Sequence, residues 1–130
     1  MESAVHIYRK RGEQFADAMR LCRGDAAFTG AVALLAVHSS ISYNDAVYLK
    51  LTGKRHRGDD HKRAASDTRI ACNQLGLPVE GISHLQKLVK YKTRVSYGEE
   101  RVGEELVEML CVSAERFEFW AAGLLGTQAG

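Results

Sequence analysis

The chain has 130 residues, 45% of them apolar, which suits one domain with room for a buried core. A net charge of +2 excludes the broad electrostatic footprint of a strongly basic nucleic-acid binder, so any phosphate contact has to come from a local patch. Cys22, Cys72 and Cys111 are scattered, odd in number and form no C-x-x-C pair, which suits reduced thiols rather than a disulfide framework.

There is a single proline and no sustained strand-type alternation. The first predicted helix runs from Ser3 to Cys22, with Tyr8, Phe15, Ala18 and Met19 on a partial apolar face, and Arg23-Gly-Asp breaks it. Asp25 is the expected N-cap for a second helix over Ala26 to Leu51, long and apolar enough to run through the middle of the fold. Gly53 is its expected left-handed stop. After the basic loop Lys54-Arg-His-Arg-Gly-Asp, Asp59 or Asp60 caps a third helix to Leu75, where Gly76 and Pro78 end it. A fourth helix is expected over Gly81 to Ser96. The last, Glu100 to Leu125, carries Leu106, Leu110, Ala114, Phe117, Ala121 and Leu124 at heptad-like spacing. Short connections favour antiparallel neighbours. The expected fold is an all-α, up-and-down bundle of about five helices in a single domain spanning 1–130.

The longest apolar run, Ala31 to Val37, is far shorter than the roughly 20 residues that span a bilayer. The N-terminal residues have no signal-peptide core. No membrane partner and a cytoplasmic location are therefore expected.

Two helices carry polar residues where the core pattern predicts apolar ones. Leu85, Leu88, Lys92 and Val95 share one line of the fourth helix, and Leu34, His38, Ile41, Asp45 and Tyr48 share one stripe of the second. Burying an unpaired charge is expensive, so Lys92 needs a partner or a ligand, and Asp45 is the obvious choice if these helices pack together. Such a pair can be an ordinary buried ion pair. It can equally line a cleft with His38 and contact phosphate, base or a reacting bond.

Lys87, Lys90 and Arg94 fall on a second face of the fourth helix, with Tyr97 just beyond. With Lys54, Arg55, Arg57, Lys62 and Arg63 they make a basic surface beside an aromatic ring, the pattern of phosphate contact plus base stacking. The plainer alternative is a solvated helix face. His56, Asp59, Asp60 and His61 match no established metal-ligand spacing, and an Asp ahead of a helix is ordinary capping. No P-loop, Rossmann fingerprint or nucleophile elbow occurs, so neither metal nor organic cofactor is expected.

Three stretches together resemble the HEPN superfamily of small helical bundles. They are the second helix Leu34-Leu-Ala-Val-His-Ser-Ser-Ile-Ser-Tyr-Asn-Asp-Ala-Val, the loop Arg57-Gly-Asp-Asp-His61, and Lys92-Thr-Arg-Val-Ser-Tyr-Gly98 before a long final helix. The resemblance implies a homodimer. It also implies, for many members, metal-independent RNase activity, often as toxins paired with a small nucleotidyltransferase antitoxin. The family's arginine, polar and histidine positions fall on Lys92, Thr93 and Tyr97. A lysine lacks the bidentate fork of arginine, and a phenol near pKa ~10 is a poor base where an imidazole near ~6.5 would be poised.

The expected function is therefore a non-catalytic or degenerate HEPN-like module that binds a partner protein, nucleotide or RNA as a dimer. Arg57, His61, Lys90 and Arg94 are its expected ligand contacts. The rival is an active endoribonuclease in which Asp45 or His38 handles the ribose 2′-hydroxyl proton, Lys92 stabilises the phosphorane and Tyr97 positions substrate. A third reading is a purely structural interaction module.

Overall fold

The computed structural model describes residues 3–56 and 58–126, and all regular structure among them is helical. Six α-helices follow in order: α1 (Ala4–Cys22), α2 (Thr29–Thr52), α3 (His61–Gln74), α4 (Ile82–Lys90), α5 (Lys92–Tyr97) and α6 (Glu104–Leu125). A single 3-10 turn, Ala26–Phe28, leads into α2. The all-α bundle expected from the sequence is what forms.

The ends are set by local chemistry. Ser3 accepts from the His6 amide at the start of α1, and Asp25 accepts from the Ala27 amide ahead of α2. Gly53 stops α2 at a φ of 72°, a conformation that favours glycine. Asp60, rather than Asp59, caps α3 by accepting from the Arg63 amide.

The predicted continuous fourth helix is broken. At Tyr91 the amide hydrogen bonds to the Leu88 carbonyl three residues back, and a new short helix starts at Lys92. The apolar spacing runs smoothly through this point, so only the backbone geometry separates α4 from α5.

α2 is the centre of the bundle, with α1, α3, α4, α5 and α6 all packed on it. With the turn before it, Ala26–Thr52 is long and apolar enough to cross a bilayer by length and composition. That length exceeds the apolar run read from the sequence. Its apolarity has a structural use here, since Val32, Ala33, Ala36, Val37, Ala46 and Val47 are all buried among the other helices.

One core cluster gathers Tyr43, Val47, Ile82, Leu85, Phe117 and Trp120, and a second gathers Met19, Val37, Leu88 and Leu110. Each large side chain removed from water contributes about 1.5–3 kcal/mol. Cys22, Cys72 and Cys111 are free thiols.

Gly12 sits where α1 meets α2. A Cβ there would lie 2.7 Å from the Tyr43 ring, and Ser39 Oγ donates to the Gly12 carbonyl at 2.9 Å. The Tyr43 hydroxyl then reaches across to donate to Glu118 of α6 at 2.8 Å. Burial and this hydrogen bond both push the phenol pKa up, so Tyr43 stays a neutral donor. Gly12→Ala is expected to wedge α1 away from α2 and cost about 1–3 kcal/mol, read as a lowered midpoint in chemical denaturation.

Candidate functional site

His38 and Asp45 lie on the side of α2 away from Tyr43. At about 100° per residue, His38 and Asp45 fall within ~20° of one another and ~140–160° from Tyr43. Both are half-buried. The His38 ring packs edge-on against Phe15 of α1, with centroids 6.2 Å apart.

His61, at the start of α3, and Lys92, at the start of α5, come to the same region. The ammonium of Lys92 is close enough to depress both the His38 and the His61 pKa, although burial is the larger cause in each. His61 also feels His38 and His56, which lower its pKa further, while Asp59 opposes them. His56, in the loop before α3, packs edge-on against the Tyr48 ring at 5.8 Å, and its Nε2 lies 3.2 Å from Asp67 Oδ2.

His38, His61 and Lys92, from three segments, therefore lie within electrostatic range of one another beside α2, with His56 within range of His61. The arrangement holds at least two imidazoles neutral near pH 7 next to a fixed positive charge. Chemically it offers hydrogen-bond donors and a cation for an anionic group, with neutral nitrogens able to accept a proton.

Asp45 takes a different place from the one expected. Among the described residues no ion pair joins it to Lys92. Its nearest titratable neighbours there are His56 and Arg11, whereas Lys92 stands beside His38 and His61. The reason is distance along α2: the seven residues from His38 to Asp45 span about 10 Å, and Lys92 stands at the His38 level. Burial pushes the Asp45 carboxyl up to about 6 against the weaker pull of His56 and Arg11. The adjacent Asn44 is 2% exposed, and its Oδ1 has no hydrogen-bond partner among the described residues. An unsatisfied buried amide oxygen costs about 1–3 kcal/mol.

Lys90, Arg94 and Tyr97 form a separate group. With Thr93, Gly98, Glu99 and Glu100 they line an open groove along α5, and Tyr97 is 78% exposed. Lys90 and Arg94 flank the Tyr91 ring at 5.8 and 5.9 Å, within cation–π range. Arg94 also lies 3.8 Å from Glu100. Lys92 and Tyr97 are five residues apart, about 140° around a helix, and they serve different surfaces. Arg57 lies outside the described residues.

His38, Asp45, His61 and Lys92 are candidates in the sequence, where His56 is weighed with His61 only as a metal ligand. The structure adds His56 as a neighbour of His61 and Arg11 as a neighbour of Asp45. The pair His56 and His61 flanking a Gly-Asp-Asp turn was the available signal for the first; nothing in the pattern of α1 marked Arg11. Among the described residues no group of three His, Cys, Asp or Glu side chains is arranged to hold a metal ion. The Asp60 side chain is taken up by its cap.

Neither the protein-family models nor the curated proteins give a match to this chain.

The raised Asp45 pKa has a definite sign. Between about 3.9, the unfolded value, and about 6 the folded state holds the extra proton, so stability from Asp45 is lost as pH rises through that window. Above it, an ionised carboxylate sits half-buried. Asp45→Asn is expected to be more stable than the parent by about 1–2 kcal/mol at pH 8, after discounting for residual solvent, with the gain vanishing by about pH 4. His38 and His61 act in the opposite direction: their lowered pKa values have no effect on stability well above about 6.5, where both states are neutral, and cost stability as pH falls below it. Denaturant unfolding of parent, Asp45→Asn and His61→Gln at steps from pH 4 to pH 8 separates the two.

Proposed function

We propose that this chain is a HEPN-like helical module, working as a dimer, that holds a phosphate-bearing ligand, RNA or nucleotide, without cleaving it. The carrying observation is the convergence of Lys92 with His38 and His61 on one half-buried face, while Tyr97 is turned to another. A lysine ammonium is a compact donor to phosphate, and imidazole N–H groups add directional hydrogen bonds. The α5 groove supplies the exposed Tyr97 ring for stacking and Lys90 and Arg94 for backbone charge. A lysine and a phenol on different surfaces make a poor catalytic pair for the arginine–histidine chemistry of the family's nucleases. Its place in the cytoplasm belongs to the same proposal.

A second reading is favoured by one observation. His38 and His61 are held neutral beside Lys92, which is the pairing a metal-independent endoribonuclease needs to take the 2′-hydroxyl proton and stabilise the phosphorane. In that case the chain acts as a toxin beside a small nucleotidyltransferase.

One experiment separates them. Mixed RNA is incubated with the purified protein in EDTA, and both binding and cleavage are followed for parent, Lys92→Ala, His38→Ala and Tyr97→Phe. Binding without cleavage is expected, weakened roughly 5–10-fold in Lys92→Ala, with affinity falling steeply as salt rises. Cleavage lost in Lys92→Ala or His38→Ala would sink the non-catalytic reading. Absence of RNA and nucleotide binding even at low salt would leave only a structural interaction module.

A further inference from the structure

We infer that two copies of this chain pair through the outer face of α6, antiparallel, with Glu105 of each against Arg116 of the other. The inference deepens the dimeric part of the proposed function and is independent of the ligand site.

Glu105, Met109, Val112, Arg116 and Phe119 recur at alternating steps of four and three residues, the spacing of a helix seam. At about 100° per residue they fall within ~80° of arc, on the side of α6 opposite Leu110, Ala114 and Phe117, which are buried in the core. The stripe is therefore a second face, not an overflow of the first. Phe119 is 85% exposed, and Met109 and Val112 are only half-covered. A phenyl ring left in water beside two partly open aliphatic side chains is a surface that gains by being covered. Open grooves flank the stripe on the α4 side, where Lys87 and His84 line them.

The charge pattern identifies a second copy as the occupant. A two-fold axis requires residue i to meet j and j to meet i. Glu105 and Arg116 are centred between Leu110 and Cys111, and so are Met109 and Val112. A single antiparallel register therefore brings Glu105 onto Arg116 of the partner subunit and Met109 onto Val112 of the partner subunit at the same time, twice each. Among the described residues neither Glu105 nor Arg116 makes a side-chain hydrogen bond or ion pair within its own chain, so both are available. Their neighbours Glu108 and Glu115 are by contrast taken by Arg23 of α1. Phe119 continues the seam past the ion pair, toward the segment that precedes the α6 of the partner subunit.

The test is a charge swap read by light scattering and sedimentation equilibrium on the full chain. The parent is expected at twice the chain mass. Glu105→Arg and Arg116→Glu are each expected to be monomeric, with dissociation constants raised at least about ten-fold, because each places like charges opposite one another. An equimolar mixture of the two variants is expected to recover the dimer, since each chain then meets its complement at both ends. Both substitutions are on exposed positions, and unchanged helicity by circular dichroism checks their folding; Phe119→Ser, at a ring outside the core, is expected to weaken the dimer as well. A parent that stays dimeric after both charge reversals has its interface elsewhere, and this face is overturned while a dimeric module stands. A monomeric parent overturns both. A mixture that fails to recover the dimer overturns the register.

Discussion

Tyr43 holds three helices at one point. Its ring lies where the missing side chain of Gly12 leaves room on α1, and its hydroxyl donates to Glu118 on α6. Glu118 also accepts from Arg20 of α1 at 2.9 Å, which closes the triangle. Rotation of α2 about its own axis would pull the ring from Gly12 and break the hydrogen bond, so the azimuth of the central helix is set here. A helix with apolar residues around most of its circumference does not set its own azimuth, because several rotations bury similar area.

The position of the polar cluster follows from that azimuth. With Tyr43 turned toward Gly12 and α6, His38 and Asp45 fall on the far side of α2 from α6, still against Phe15 and Arg11 of α1, where α3 and α5 bring His61 and Lys92 near His38. The break at Tyr91 matters for the same reason. Starting a new helix at Lys92 lets its side chain turn toward α2 while Lys90 and Arg94 remain around the Tyr91 ring. One uninterrupted helix would have carried the three basic residues on a fixed screw. The break allots them to two surfaces.

The same folded chain keeps unlike electrostatic regions apart. Along α1 and α6, Arg20 and Arg23 are engaged by Glu108, Glu115 and Glu118, so both guanidinium charges are met within that seam. Around α2, half-burial depresses the imidazole pKa values and raises that of Asp45, so each group is driven toward its neutral form near pH 6. Such a site costs stability, as the unsatisfied Asn44 amide beside it also does. Local rules of this kind tend to be broken where a site is built.

The sequence by itself determined the helical class, the order of the elements and most of their ends, because apolar periodicity and capping are local. Ser3, Asp25, Gly53 and Asp60 all act within a few residues of themselves. It also singled out His38, Asp45 and Lys92, since a polar side chain on an apolar stripe is visible in one dimension, and His61 from the polar loop before α3. Which of these face one another was not visible. Asp45 and Lys92 looked complementary by charge, yet the level at which α5 stands against α2 sets Lys92 beside His38 and leaves Asp45 to His56 and Arg11. Only the tertiary structure decided that, because distance between helices depends on where they cross, and no spacing within a helix encodes a crossing point.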